Sequence, residues 1–124
     1  MTPGQLAECQ KIAPVVCVQN LYNVAYRNDD AFIDDLAKQG IAYVPYFPLG
    51  GFTPLQSSVL DSVAAKLNKT PKQVALAWLY QRSSNILLIP GTSSLQHLQQ
   101  NMESARIALT PEMIADLNSI GVKT

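Results

Sequence analysis

Three short runs in this chain are almost continuously apolar: residues 15–19, 41–47 and 86–90. They do not alternate between apolar and polar, which predicts parallel strands covered on both faces. Between them, apolar residues recur at helical spacing and start signals are plain. Thr2-Pro3-Gly4-Gln5 and Thr70-Pro71-Lys72-Gln73 each offer a hydroxyl cap, a proline at the first helical position and a glutamine at the third. After the second signal, Val74, Ala75, Trp78 and Leu79 form one apolar face. Thr110-Pro111 opens a last helix through Ile114, Leu117 and Ile120, with Gly121 as its stop. Another helix, introduced by Asn28, is predicted over residues 29–39 and ends at Gly40. A turn-rich loop over residues 48–54 precedes an amphipathic stretch containing Val59, Leu60, Val63, Ala64 and Leu67.

Strands separated by helices imply parallel pairing through helical crossovers, so the pattern predicts an α/β domain with about three parallel strands. Such a sheet has two bare edges, and buried strands rarely tolerate that. Something should complete it, and self-association is the expected means. Nine basic and nine acidic side chains leave zero formal net charge. That removes the repulsion that keeps monomers apart, and supplies no basic stripe for nucleic acid. No secretory signal follows Met1 and no apolar run is long enough to span a bilayer, which points to the cytoplasm. Cys9 and Cys17 lack metal-ligand spacing and read as two buried thiols in a reducing compartment. Asp29, Asp30, Asp34 and Asp35 match no calcium-loop pattern and read as a solvated helix face.

In parallel α/β folds, function collects where strands end. Three places qualify. Ile89-Pro90-Gly91-Thr92-Ser93-Ser94 leaves a strand, turns on glycine and offers three hydroxyls at the start of a helix, with His97 one turn further. That arrangement suits an anion such as phosphate; it equally suits an ordinary N-cap with a surface histidine. Tyr46-Phe47-Pro48-Leu49-Gly50-Gly51 could stack an aromatic on a flat ring and bring backbone to a pyrophosphate, or be a core tyrosine before a plain turn. Gln19 and Asn20 put amides at a strand end, where polar groups require partners or a ligand. The usual nucleotide, hydrolase and metalloprotease motifs are absent, and one histidine with two cysteines leaves little material for a triad.

Four of these stretches together resemble the aldo-keto reductase family. The stretches at 16–23 and 40–51 are similar to its sixth and seventh strand regions, and 70–79 to its seventh helix. Ile89 to Ser94, with His97, Leu98 and Asn101, resembles its adenosine-phosphate loop. The likeness runs in order over essentially the whole chain, and implies a partial (β/α)8 barrel. By this resemblance Gln19 holds the nicotinamide carboxamide and Tyr46 stacks on the nicotinamide ring. Pro48, Leu49 and Gly50 line the pyrophosphate. Gly91, Thr92, Ser93, Ser94 and His97 face the 2′-phosphate and ribose of NADP(H), and Asn101 faces the adenine.

Two departures from the family pattern stand out. Many members have lysine where this chain has Gly91 and arginine where it has His97, and often glutamate where it has Gln100. The family's catalytic Asp, Tyr, Lys and His, and a serine-asparagine pair closing the fifth strand, fall before the first residue of this sequence. The resemblance therefore implies a fragment that carries much of the cofactor cradle and no catalytic residue. Such a fragment would be inactive alone. The rival expectation is a non-catalytic, self-associating half-barrel that binds a dinucleotide weakly.

Overall fold

The computed structural model describes residues 1–51 and 55–121. The end of the predicted turn-rich loop, residues 52–54, lies outside the described residues. The chain runs α1 (Pro3–Gln10), β1 (Cys17–Leu21), α2 (Asp30–Lys38), β2 (Ala42–Tyr46), α3 (Ser58–Leu67), α4 (Pro71–Arg82), α5 (Leu95–Glu103), a 3₁₀ turn (Ser104–Arg106) and α6 (Pro111–Asn118). Helix starts follow their local chemistry. Thr2 and Thr70 form complete capping boxes with Gln5 and Gln73, and the Thr110 hydroxyl accepts from the Met113 N–H. The last helix stops at Asn118, short of Gly121, although Ile120 still packs against the core.

β1 and β2 pair in parallel, with Gln19 opposite Val44 and Leu21 opposite Tyr46. The expected third strand at 86–90 is reduced to one bridge, Tyr43 to Ile86. The Tyr43 N–H donates to the Asn85 carbonyl (2.8 Å), and the Leu87 N–H donates to the Tyr43 carbonyl (2.9 Å). On that edge of β2 the next donor would be residue 45, a proline without an N–H, so the ladder stops. Burial alternates along this run: Ile86 is buried, while Leu87 and Ile89 are exposed, at 57% and 50%.

The sheet has unequal faces. Val18, Tyr43 and Pro45 turn toward the helices and are buried. On the other face, Cys17, Gln19 and Tyr46 are exposed, and Val44 sits at the margin of the core. This corrects the expectation of strands covered on both faces. It also corrects the cysteine reading: Cys17 is exposed and Cys9 only half-buried. α4 is the central helix, its residues 73–79 buried without interruption. Around it lie Leu36, Leu60 and Leu117, all essentially inaccessible.

A polar network closes the covered side. The Tyr22 hydroxyl donates to Asp30, which also receives Arg27 (2.8 Å) and Arg82 (3.4 Å). Arg82 reaches on to Asp34 (2.8 Å), while the Tyr43 hydroxyl donates to Asp29 (2.8 Å). Arg27 lies over the Trp78 ring, 5.2 Å from its centre, and Tyr22 stacks on the same indole. The acidic start of α2 is thus a set of anchors for neighbouring elements rather than a solvated face. Burial alone would raise the Asp30 pKa, but the Tyr22 hydrogen bond and the two arginines outweigh it and hold the carboxyl below its ordinary range. Burial and the bond to Asp30 push the Tyr22 phenol well up, and burial and the bond to Asp29 do the same for Tyr43.

Candidate functional site

Where β2 ends, the chain makes a sharp turn. Phe47 takes a left-handed conformation (φ 55°), as do Gly50 (φ 93°) and Gly51 (φ 64°). The Gly50 N–H closes on the Phe47 carbonyl (3.0 Å), which also receives the Asn23 amide (3.1 Å). The Phe47 ring lies directly on Gly51, where a Cβ would come within 2.5 Å of it, so only glycine fits. Tyr46 meets Phe47 edge to face and stays 41% exposed, which leaves its ring open to a partner.

Two adjoining clefts open beside this turn. The larger, about 770 Å³, is lined among others by Leu49, Gly91, Thr92, His97 and Asn101. The smaller, about 410 Å³, is lined by Tyr46, Phe47, Pro48, Leu49, Gly51 and Gly91, among others. Leu49, Lys72 and Gly91 belong to both, so the clefts meet as one trough. Its size falls in the usual range for small-molecule sites. A Cβ at Gly91 would meet nothing within 4 Å, which shows how open the trough is at that point.

The structure therefore brings together most of the residues singled out from the sequence, and leaves others aside. Tyr46, Pro48, Leu49, Gly91, Thr92, His97 and Asn101 line the trough. Gly50 shapes the turn without lining either cleft. Ser94 serves as the N-cap of α5, its hydroxyl accepting from the His97 N–H (3.3 Å), while its own N–H donates to the Thr92 hydroxyl (3.1 Å). Ser93 is exposed beside it and lines neither cleft. Gln19 lies one strand away from Tyr46, on the same open face, outside the trough.

Two contributors carried no functional signal in the sequence. Lys72 lines both clefts, yet its place in Thr70-Pro71-Lys72-Gln73 reads only as helix punctuation. Gln73, buried to 4% exposure, completes the Thr70 cap and also donates to the Gln100 carbonyl (3.1 Å). That second bond ties α4 to the middle of α5 and fixes where His97 and Asn101 stand.

The sequence pattern of the Aldo/keto reductase family matches residues 1–122. The chain belongs to this family. It is 64% identical over 120 residues to pyridoxine 4-dehydrogenase of Escherichia coli K12, covering 97% of this chain and 42% of that protein. It is 37% identical over 122 residues to an uncharacterized oxidoreductase of Schizosaccharomyces pombe, covering 98% and 40% respectively. Among solved structures, a thermostable aldo-keto reductase bound to the inhibitor epalrestat superposes with a TM-score of 0.87 at 29% identity, over 98% of this chain and 46% of that one. An aldo/keto reductase of Klebsiella pneumoniae in complex with NADP and acetate gives 0.87 at 22% identity, over 97% and 45%. The chain spans less than half the length of these relatives, and its fold is part of a (β/α)8 barrel. Among the described residues no helix is long and apolar enough to cross a membrane.

Proposed function

We propose that this chain forms the NADP(H)-cradling part of an oxidoreductase, with the adenosine end of the dinucleotide in the trough. The observation that carries this reading is the convergence of Gly91, Thr92, His97 and Asn101 on one cleft with Leu49. Those residues come from three separate segments, and the family resemblance gives all of them to the cofactor. The residues fit a dinucleotide chemically. Thr92 offers a hydroxyl, Gly91 allows close backbone approach, Asn101 presents an amide, and Tyr46 supplies an uncovered ring at the far end.

The cofactor, when bound, supplies the hydride acceptor or donor. The protein's part is to orient it. Gln19 and Tyr46 share the open face of the sheet, where the nicotinamide end would lie against the amide and the ring. No position in the 124 residues corresponds to the family's catalytic Asp, Tyr, Lys and His. The chain by itself therefore lacks the group that would move the substrate's proton, and such groups contribute ~10²–10⁴-fold. In a complete barrel the chemistry would be alcohol–aldehyde or ketone interconversion, with pyridoxine as the alcohol suggested by the 64% identical relative.

The isolated chain is also proposed to self-associate. Val16 and Leu87 flank the sheet at 79% and 57% exposure, and the open face carries apolar side chains. Covering ~400 Å² of such surface would contribute ~10 kcal/mol before association costs of similar size. Light scattering coupled to gel filtration should give a species larger than 13.5 kDa; a sharp monomer peak would refute this.

Calorimetric titration tests the cofactor reading. NADPH and 2′,5′-ADP should bind weakly and comparably, while NADPH oxidation with 4-nitrobenzaldehyde should remain at background. Nanomolar NADPH with undetectable 2′,5′-ADP would contradict the adenosine-end assignment. Protein-dependent turnover surviving repurification would contradict the inactivity.

A further inference from the structure

We infer that Lys72 is the residue that distinguishes NADP(H) from NAD(H) in this chain, by gripping the 2′-phosphate. The inference rests on the cofactor reading above. Its starting point is charge. Among the described residues lining the two clefts, Lys72 is the one lysine or arginine. Its ammonium makes no ion pair or hydrogen bond among the described residues, so it is free to meet an anion. It lines both clefts, together with Gly91, the first residue of the hydroxyl-bearing loop.

Among the described residues the trough holds one carboxylate, Asp61, which lines the larger cleft but not the smaller. It forms no salt bridge with Lys72. At the junction of the two clefts the charge is therefore positive. Gly91 adds no side chain there and leaves the space open to the lysine, with nothing within 4 Å of where a Cβ would stand. The places where many family members carry lysine and arginine hold Gly91 and His97 here. A cation from α4, which lines both clefts together with Gly91, restores a charge-assisted contact.

The pyrophosphate is the competing target for Lys72, because the lysine also lines the cleft that contains Pro48 and Leu49. The two targets give different signatures. A grip on the 2′-phosphate affects only ligands that carry it, whereas a grip on the pyrophosphate affects both dinucleotides alike.

The test is calorimetric titration of the 124-residue chain and of Lys72→Ala and Lys72→Arg with 2′,5′-ADP and with ADP. Lys72 is exposed and its side chain makes no hydrogen bond or ion pair among the described residues, so both variants should fold, and the thermal transition of each checks this. The unaltered chain should prefer 2′,5′-ADP. Lys72→Ala should lose that preference by about tenfold or more, with ADP binding unchanged, and Lys72→Arg should keep it. An unchanged preference in Lys72→Ala overturns the inference and leaves the cofactor reading intact. Equal weakening of both ligands also overturns it, and assigns the lysine to the pyrophosphate. If the unaltered chain binds neither ligand, the cofactor reading fails and this inference falls with it.

Discussion

The two faces of the β1–β2 sheet have opposite fates. One face sets Val18 and Tyr43 into the hydrophobic core and is sealed by the Tyr22–Asp30–Arg82 network. The other presents Cys17, Gln19 and Tyr46 to the outside. The same contrast separates the two helices that frame the trough. α4 buries residues 73–79 in succession, whereas α5 buries none of its residues and shows Leu95 and Met102 at 71% and 68% exposure. Buried packing is thus concentrated on one side, and the residues proposed to meet the cofactor lie on the other. A binding surface of this kind can change its side chains with little effect on folding, while the covered side cannot.

The largest effect that could break this comparison is on the covered side. Trp78→Ala removes the indole that stacks on Tyr22, carries Arg27 and donates to the Asn118 side chain (2.9 Å). It should destabilise the chain by ~3–5 kcal/mol. Gln19→Ala, on the open face, should stay within ~0.5 kcal/mol. Urea unfolding of both variants checks the pair, and comparable losses would dissolve the distinction.

Acid should act on the same side. The Asp30 carboxyl is held below its ordinary value of 3.8 in the folded chain. Its contribution is therefore fully present above about pH 4 and is lost as pH falls through the lower folded value. Stability of the chain should decline across that window, and Asp30→Asn should decline less steeply with pH while being less stable at neutrality. An identical acid profile in Asp30→Asn would show that the anchor lies elsewhere.

Changes at the trough should be smaller and confined to binding. Gly91→Lys places a side chain into open space, so its melting temperature should hardly move. A charge-assisted contact contributes ~1.5–3 kcal/mol, and NADPH affinity should rise tenfold or more relative to NADH. Ser94→Ala should remove the cap of α5 at a cost of ~1 kcal/mol, seen as faster amide exchange in that helix. Loss of 2′,5′-ADP binding without faster exchange would instead make Ser94 a ligand contact.

What the sequence disclosed depended on how local the cause was. The starts at Thr2, Thr70 and Thr110 were legible because a hydroxyl cap and a proline, joined at the first two by a glutamine, act within one turn. The third strand was not, because its pairing ends at a proline in a different strand, Pro45. The first strand was placed at 15–19 but pairs at Cys17–Leu21, since its own apolar run does not say where β2 begins to match it. The acidic start of α2 looked solvated until Arg27 and Arg82 reached it from other elements. In the trough, the hydroxyl loop was legible as a turn with donors. Lys72 and the second bond of Gln73 were not, because both depend on how α4 packs beside α5.

The most direct test of the central claim is residue-resolved. In a 15N-labelled chain titrated with 2′,5′-ADP, the amide resonances of Lys72, Gly91, Thr92 and Asn101 should shift together along one binding curve, while those of Cys17 to Leu21 stay in place. Shifts centred on β1, or none at any concentration up to millimolar, would show that the trough is not the adenosine site.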